Sequence, residues 1–490
     1  MILKVVFLAI LLCGMESEVE SACSAGRTKR ELRGAWIATV SNIDWPKSNT
    51  RTTSQNQADL RHLLDILHDA TINAVFFQVR SAGEAMYAST IEPWSQYLTG
   101  TQGTAPSPAW DPLQFLIDEA HARNMEVHAW FNPYRAKSGS TSTAGLAANH
   151  MAKAIPAHAH AYGNNLWMDP GSTQVQDRVN NVILDVVRRY DVDGVHLDDY
   201  FYPYPTSTAF PDSATYNAYK SGGGTLGLAD WRRDNVNKLI ERLSTNIHQT
   251  KAWVKFGVSP FGIWRSGNPS GVTGMSSVDE IYADSKLWLQ KGWLDYVAPQ
   301  LYWTIDGPQS FTKLIDWWSD PAQNPTHKHI YAGLADYRIV DNNWSPNEIV
   351  HQIQLVEIRT SRQVWGEIHF SAHQLETNAH NLLTTLKSTV YTSPTLTDVY
   401  SYRGGVPAPA SPNVAANGAV LDWSGSPKAN VRSWAVYKST SNTCTLVKVL
   451  PPSTTSYTAS SNGDYVVTAV NRLGVETDSN PVTVVTAVVG

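Results

Sequence analysis

From Arg33 to about Thr389 the chain alternates short β-rich runs with amphipathic segments, eight times over, and no other feature restricts its fold as much. The β-rich runs are Arg33–Val40, Ala74–Arg80, Met125–Asn132, Gly194–Asp198, Lys255–Pro260, Tyr296–Tyr302, His329–Leu334 and Val364–Ser371. Apolar residues at helical spacing follow each of them, in Gln55–Asp69, Asp111–Arg123, Gln174–Tyr190, Ala229–Gln249, Asp279–Gln290, Phe311–Ser319, Ser345–Thr360 and His380–Thr389. Repeated strand–helix units bury both faces of a parallel sheet, which leaves a closed barrel or an open doubly wound sheet. The open sheet carries a Gly-rich phosphate loop after its first strand, and none follows Arg33–Val40 here. The expectation is therefore a (β/α)8 TIM barrel with long loops over residues 30–400.

A Pro/Gly/Ala-rich stretch, Arg403–Pro412, marks a linker over 401–412. Beyond it, Val420–Trp423, Ser433–Lys438, Leu446–Leu450, Ser456–Ala459, Asp464–Asn471 and Val482–Thr486 are short strands at sandwich spacing, so 413–490 reads as a small all-β sandwich. Its pattern of Trp423, Val436-Tyr437 and Tyr465-Val-Val-Thr-Ala-Val resembles a fibronectin type III domain, which implies spacing or docking rather than chemistry.

At the other end, Met1–Cys13 has one Lys and an apolar run from Val5 to Cys13, far short of the ~20 residues that span a bilayer. It is expected to be a signal peptide over 1–22, making the protein secreted or extracytoplasmic, with a lipid-anchored Cys23 as the lesser alternative. Outside that segment only Cys23 and Cys444 remain, so neither a disulfide framework nor a zinc site is expected. With 38 basic and 43 acidic side chains the net charge is −5, which excludes nucleic acid as the expected partner. The 18 Trp and 21 Tyr suit large cores and, secondarily, the stacking of sugar rings.

A barrel enzyme works where its loops converge, at the C-terminal ends of the strands. Polar residues gather at those positions: Gln78 and Arg80 on strand two, His128 and Asn132 on strand three with Tyr134 and Arg135 just beyond, Gln300 and Tyr302 on strand six, and Glu367 and His369 on strand eight. Strand four is the most telling. Gly194, His196 and Asp198 alternate on one face, and Asp199 and Tyr200 follow where the strand ends. Adjacent carboxyls repel, which raises one pKa, and glycoside hydrolysis needs one protonated and one ionised carboxyl. Asp198 and Asp199 are thus the expected catalytic pair, Asp198 first because its parity points inward.

A further carboxylate is expected across the scissile bond: Glu92 first, beside Trp94 and Tyr97, with Glu367 and Glu84 as alternatives. His128, His196, His369 and Asp198 could converge on a metal, but strand one lacks the His-x-His of barrel metallohydrolases. No metal and no cofactor are expected, the histidines serving instead as neutral hydrogen-bonding groups. No Gly-x-Ser-x-Gly turn supports a serine nucleophile.

Together these segments resemble the glycosyl-hydrolase-like family 10 proteins. The resemblance rests on Arg33-Gly-Ala-Trp-Ile-Ala-Thr-Val with Asp44-Trp-Pro, Phe77-Gln-Val-Arg80, Glu92-Pro-Trp-Ser, His128-Ala-Trp-Phe-Asn-Pro-Tyr-Arg135, Trp167-Met-Asp-Pro-Gly, Asp193-Gly-Val-His-Leu-Asp-Asp-Tyr200, Phe256-Gly-Val-Ser-Pro-Phe-Gly-Ile-Trp-Arg265 and Asp295-Tyr-Val-Ala-Pro-Gln-Leu-Tyr-Trp303. It implies a secreted or lipid-anchored TIM-barrel glycosidase of a family associated with peptidoglycan glycan strands stripped of their stem peptides. Strand four is also similar to the Asp-Gly-x-Asp-x-Asp-x-Glu signature of chitinase-type barrels, with Asp198 on the last Asp. There His196 and Tyr200 replace an Asp and the acid Glu, which argues against ordinary chitinase machinery and leaves help from a substrate acetamido group open.

The expected activity is hydrolysis of an N-acetylated polysaccharide. Asp198 or Asp199 would act at the oxocarbenium-like centre, with Glu92 as acid. Gln78, Arg80, Asn132, Tyr134, Arg135, His196, Tyr200, Gln300 and Tyr302 would contact sugar substituents, and Trp94, Trp264 and Trp303 would serve as stacking platforms. A non-catalytic glycan-binding barrel and a polysaccharide deacetylase or esterase are the rivals.

Overall fold

The computed structural model describes residues 30–440 and 443–485. The expected signal segment 1–22 and Cys23 lie outside the described residues. Eight strands, β1 (Leu32–Ile37), β2 (Ala74–Arg80), β3 (Glu126–Phe131), β4 (Gly194–Leu197), β5 (Lys255–Val258), β6 (Tyr296–Val297), β7 (His329–Leu334) and β8 (Val364–His369), close into a barrel. Every neighbouring pair is parallel, and β1 pairs with both β2 and β8. Local signals start the helices between them. Thr52 and Gln55 form a reciprocal capping box ahead of Thr53–Asp69. Asp111 caps Pro112–Ala122, where proline occupies the start of the helix. Leu64, Leu116, Ile183 and Leu239, one from each of four helices, are buried in the layer between helices and strands, each stabilising by about 1.5–3 kcal/mol.

The barrel interior is a separate, aromatic cluster that includes Trp36, Phe76, Trp130, Tyr296 and Tyr331. It fills by pairing large side chains with glycines. A Cβ at Gly194 would lie 2.2 Å from the His128 ring, and one at Gly257 would lie 2.2 Å from the Tyr296 ring. The Tyr296 hydroxyl meets Nδ1 of His128 at 2.9 Å and Nδ1 of His196 at 3.1 Å, while Trp36 Nε1–H donates to His196 Nε2 at 3.1 Å. These buried polar groups therefore satisfy one another beneath the mouth.

Three departures from the expected elements have local causes. β6 stops at Val297 rather than Tyr302, because Pro299 has no N–H for the ladder; Gln300 makes only isolated bridges to Phe261 and Gly333. The helix expected over Asp279–Gln290 is split into Ser277–Glu280 and Ser285–Gln290, the second capped by Asp284 accepting from Leu287 N–H. The long loop after β3 holds a small antiparallel sheet of Arg135–Lys137, Asn165–Met168 and Ala159–Tyr162, whose strands are too short to announce themselves by alternation.

After the barrel, antiparallel strands form two sheets: Ala415–Asn417, Val420–Asp422 and Ser456–Thr458 in one; Cys444–Leu450, Ser433–Ser439, Gly463–Val470, Glu476–Asp478 and Val482–Val484 in the other. Trp423, Trp434, Val436, Tyr465 and Val467 are buried together in their shared core. The sheets dock on the barrel base. Arg432 donates to Met125 O at 3.0 Å and Asp193 Oδ1 at 3.4 Å, Arg472 reaches Asp193 at 3.2 Å, and Asn124 Nδ2 donates to Val449 O at 3.1 Å. Cys444 is disulfide-bonded, where no disulfide framework was expected. Among the described residues no helix is long and apolar enough to cross a membrane.

Candidate active site

At the C-terminal end of the barrel a cavity of about 220 Å³ opens over the aromatic interior. Its wall is assembled from separate strands: Trp36 and Ala38 from the end of β1, Gln78 from β2, Trp130 from β3, Ser259 beyond β5, Gln300 and Tyr302 beyond β6, and Phe370 beyond β8. Asp198, Asp199, Tyr200 and Tyr204 enter from the segment after β4, and Arg135 from the loop after β3.

Both carboxyls face the same cavity because the strand ends just before them. Asp198 continues the inward parity of Gly194 and His196. Asp199 would point to the helices if β4 went on, but the chain turns at once, with Tyr200 N–H donating to Asp198 Oδ1 at 3.1 Å and Phe201 N–H to Asp199 O at 3.2 Å. Asp198 Oδ2 also accepts from Trp130 Nε1 at 3.1 Å and Asn132 Nδ2 at 2.6 Å. The orientation of that amide is set from behind. Gln78 Oε1 accepts the backbone N–H groups of Thr39 and Val40, each at 2.9 Å, which leaves Gln78 Nε2 to donate to Asn132 Oδ1 at 2.8 Å. Asn132 then presents its NH2 to Asp198. Asp199 accepts from the Tyr204 hydroxyl and from Gln300 Nε2, the latter at 3.2 Å.

Burial and the neighbouring Asp199 charge push Asp198 up to about 7, against the opposing pull of Arg135 and the N–H donors. Burial raises Asp199 as well, offset by Tyr204 and Gln300. Two buried carboxyls this close do not both ionise readily, so near neutral pH the pair holds one proton, on the Asp198 side. The site thus presents an acid beside a carboxylate, under an aromatic wall.

A second cavity of about 230 Å³ continues from the first, sharing Tyr204, Gln300 and Tyr302 and adding Phe261, Trp303 and Arg338. Ile43, Tyr204 and Met275, three of the few large apolar side chains exposed to solvent, line these cavities. Exposed apolar surface beside convergent polar groups is the usual make-up of a ligand cleft.

Residues 31–349 match the family described as Glycosyl hydrolase-like 10. The chain belongs to this family. It is similar to glycosyl hydrolase YngK of Bacillus subtilis (strain 168), 41% identical over 381 residues that cover 76% of this chain and 74% of that protein. It is also similar to glycosyl hydrolase DigH of Escherichia coli (strain K12), 37% identical over 386 residues covering 71% and 87% respectively. Among solved structures, the PgaB (BpsB) glycoside hydrolase domain from Bordetella bronchiseptica aligns with a TM-score of 0.48 and 12% identity, over 74% of this chain and 99% of that one. The protein is a glycoside hydrolase on a TIM barrel.

In this glycosyl hydrolase-like 10 chain the residues expected from sequence divide sharply. Asp198, Asp199, Gln78, Arg135, Tyr200, Gln300 and Tyr302 line the first cavity, and Trp303 lines the second. Asn132 acts behind Asp198. Glu92 does not fit the acid role expected of it. Its carboxylate is wholly buried, gripped by Arg80 at 2.7 and 2.8 Å and approached by Arg178 at 3.4 Å. Burial opposes its ionisation, yet the two arginines hold it below its ordinary range, so it keeps no proton to donate. Arg80 is buried, committed to Glu92 and the Pro133 carbonyl, and lines neither cavity.

The alternative acids are structural too. Glu84 is buried under the Ser95 hydroxyl, Gln96 N–H and Gln102, and Glu367 lies deep in β8 beneath Tyr391, its pKa raised by burial and by Glu31. Tyr134 is buried away from the cavities, Trp94 packs on the core, and His196 is a neutral interior group. Trp264 stacks on Trp317 at 5.9 Å, with Arg265 and Lys286 over its ring, and is not an open platform. His369 bonds Asp336 and Tyr391, far from the His128–Tyr296–His196 group, and among the described residues no cluster of His, Cys, Asp or Glu has the make-up of a metal cradle. Trp36, Tyr204, Ser259 and Phe370 were not anticipated. Trp36 shares the inward parity of Gly34 on β1, and Phe370 that of Ile368 on β8, so both were findable; Tyr204 lies in an irregular segment that carries no periodic signal.

Proposed function

We propose that this protein cleaves glycosidic bonds within an N-acetylated wall polysaccharide, peptide-free peptidoglycan strands being the substrate, by catalysis in which the substrate's own acetamido group takes part. One observation carries this reading: the carboxyls lining the cavity come from adjacent residues just beyond the end of β4, and among the described residues none lines the opposite wall. A double-displacement or inverting glycosidase places its two carboxyls across the scissile bond. With both on one side, the 2-acetamido oxygen is the nucleophile available to the anomeric carbon. Asp198, holding the proton, gives it to the leaving oxygen as the C1–O bond breaks. Ionised Asp199 accepts the acetamido N–H and so makes its carbonyl oxygen the better nucleophile. Water then opens the cyclic intermediate, with Asp198 taking its proton.

The family supports a glycan substrate, and the resemblance of the barrel motifs supports the peptide-free wall strand. The apolar run at Val5–Cys13 and the disulfide-bonded Cys444 support an extracytoplasmic, oxidising location. The C-terminal sheets, read as a fibronectin type III-like unit, serve for spacing or docking. Mass spectrometry of products from peptide-free and peptide-bearing strands tests the substrate: new reducing ends from the peptide-free strands alone are expected. Release of acetate without new reducing ends would place the protein among esterases, and retention of glycan without any product would make it a binding barrel. A thiazoline analogue of N-acetylglucosamine should inhibit competitively; indifference to it at millimolar concentration excludes the acetamido step.

A further inference from the structure

The second cavity contains a cation that no carboxylate among the described residues neutralises. Arg338 lines it and is half-buried. Among the described residues the guanidinium has one hydrogen-bond partner, a neutral amide, Asn342 Oδ1 at 3.1 Å, and no ion pair with a carboxylate. Its Nε–H is covered by the chain and has no acceptor. The rings of Tyr337 and Trp344 hold the guanidinium at 5.5 and 5.7 Å from their centroids. The contrast within the same groove is informative. Arg135 is engaged by the Ser81 carbonyl, the Tyr200 ring and the field of the Asp pair, so its charge is already answered. A guanidinium kept half-desolvated, aligned by ring faces and left without a counter-ion is set up for an anion arriving with the ligand, and its planar fork suits a carboxylate above other anions. Trp303, Phe261 and Tyr302 in the same cavity supply apolar faces for a sugar ring.

We propose that Arg338 reads the free lactyl carboxylate of a muramyl residue bound in the second cavity, next to the sugar being cleaved. The proposal rests on the wall-glycan reading above and deepens it. When the stem peptide is attached, that carboxylate is an amide: it carries no charge, and a bulky chain follows it. Removal of the peptide by amide hydrolysis creates the anion that Arg338 lacks. Selection of peptide-free strands is then a charge requirement as well as a steric one.

The experiment compares kcat/KM on three substrates: peptide-free strands, the same strands with their lactyl carboxylates converted to primary amides by carbodiimide and ammonia, and oligosaccharides of N-acetylglucosamine, which have no carboxylate. A charge-assisted hydrogen bond to a half-buried cation predicts that the native protein loses roughly 10- to 100-fold on amidation. Arg338→Gln should show the same loss on untreated strands, no further loss on amidated ones, and a loss on N-acetylglucosamine oligosaccharides at least several-fold smaller than on untreated strands. Arg338→Lys should recover part of the discrimination, and equal melting temperatures show that the variants fold. Equal turnover of amidated and untreated strands by the native protein, or discrimination that survives in Arg338→Gln, overturns the proposal while leaving the wall-glycan reading intact. Arg338-dependent turnover of uronic-acid oligosaccharides with none on muramyl strands overturns it in favour of another sugar acid. Inactivity of the native protein on every muramyl strand sinks the parent reading itself.

Discussion

Asp198 would ionise near pH 4 in water; burial and Asp199 move that event up to about 7. Two outcomes follow. Chemistry that needs its proton falls away as pH rises through about 7, so kcat/KM should show a basic limb there. The proton is also held more tightly in the folded protein than in the unfolded chain, so its contribution to stability is present at low pH and is lost as pH rises through the folded pKa. Asp198→Asn has nothing to ionise. It should lower kcat by at least about a thousandfold and yet show a smaller fall in melting temperature between pH 5 and 9 than the native protein. A steeper fall in the variant would sink the protonated-Asp198 assignment. Tyr204→Phe removes the hydroxyl that Asp199 accepts and should cost about 100-fold in kcat, with the melting temperature within a few degrees; unchanged turnover would leave Asp199 without a role.

The elements around the pair work as struts. The Glu92–Arg80 ion pair ties the loop after β2 to the Asn132–Pro133 backbone after β3. Glu92→Gln leaves Arg80 buried and short of its counter-charge, which costs about 3–5 kcal/mol of stability. Below its lowered melting point, turnover per folded molecule should stay within a few-fold of native; loss of activity with stability retained would instead restore Glu92 as an acid. The Gln78–Asn132 relay acts on chemistry rather than stability, because it decides which face of an amide Asp198 meets. Asn132→Asp replaces a donor with a third carboxyl, and should shift the basic limb of the pH profile upward while depressing kcat.

Across the whole molecule the two ends of the barrel are divided between tasks, as in barrels generally: chemistry at the C-terminal mouth, stability at the base. Asp193 accepts from Val127 N–H at 2.9 Å and His121 Nε2 at 2.8 Å, as well as from Arg432 and Arg472 of the C-terminal sheets. Burial opposes its charge, but Arg432, His121 and Arg472 hold its pKa well below the carboxylate range. Replacing Arg432 and Arg472 together by Ala should remove roughly 3 kcal/mol of stability and expose residues 401–412 to limited proteolysis. Turnover of soluble oligosaccharides should be unchanged, since the docking face lies at the opposite end from the cavity. Protease resistance equal to native would show that other contacts carry the docking.

The barrel and the mouth residues of β2, β4 and β6 were legible in the sequence, because strand parity and the strand–helix repeat are both written within a few residues of one another. Asp198 could be placed from the two-residue alternation of Gly194, His196 and Asp198. What the sequence could not decide depends on groups brought together from distant parts of the chain. Glu92 looked like an acid beside aromatic residues until Arg80 and Arg178 closed on it. Asp199 turned toward the cavity only because β4 ends at Leu197, and Tyr204 and Arg338 reached the groove from segments without periodic pattern. A side chain's protonation is set by the charges and desolvation around it in space, and those belong to the folded barrel.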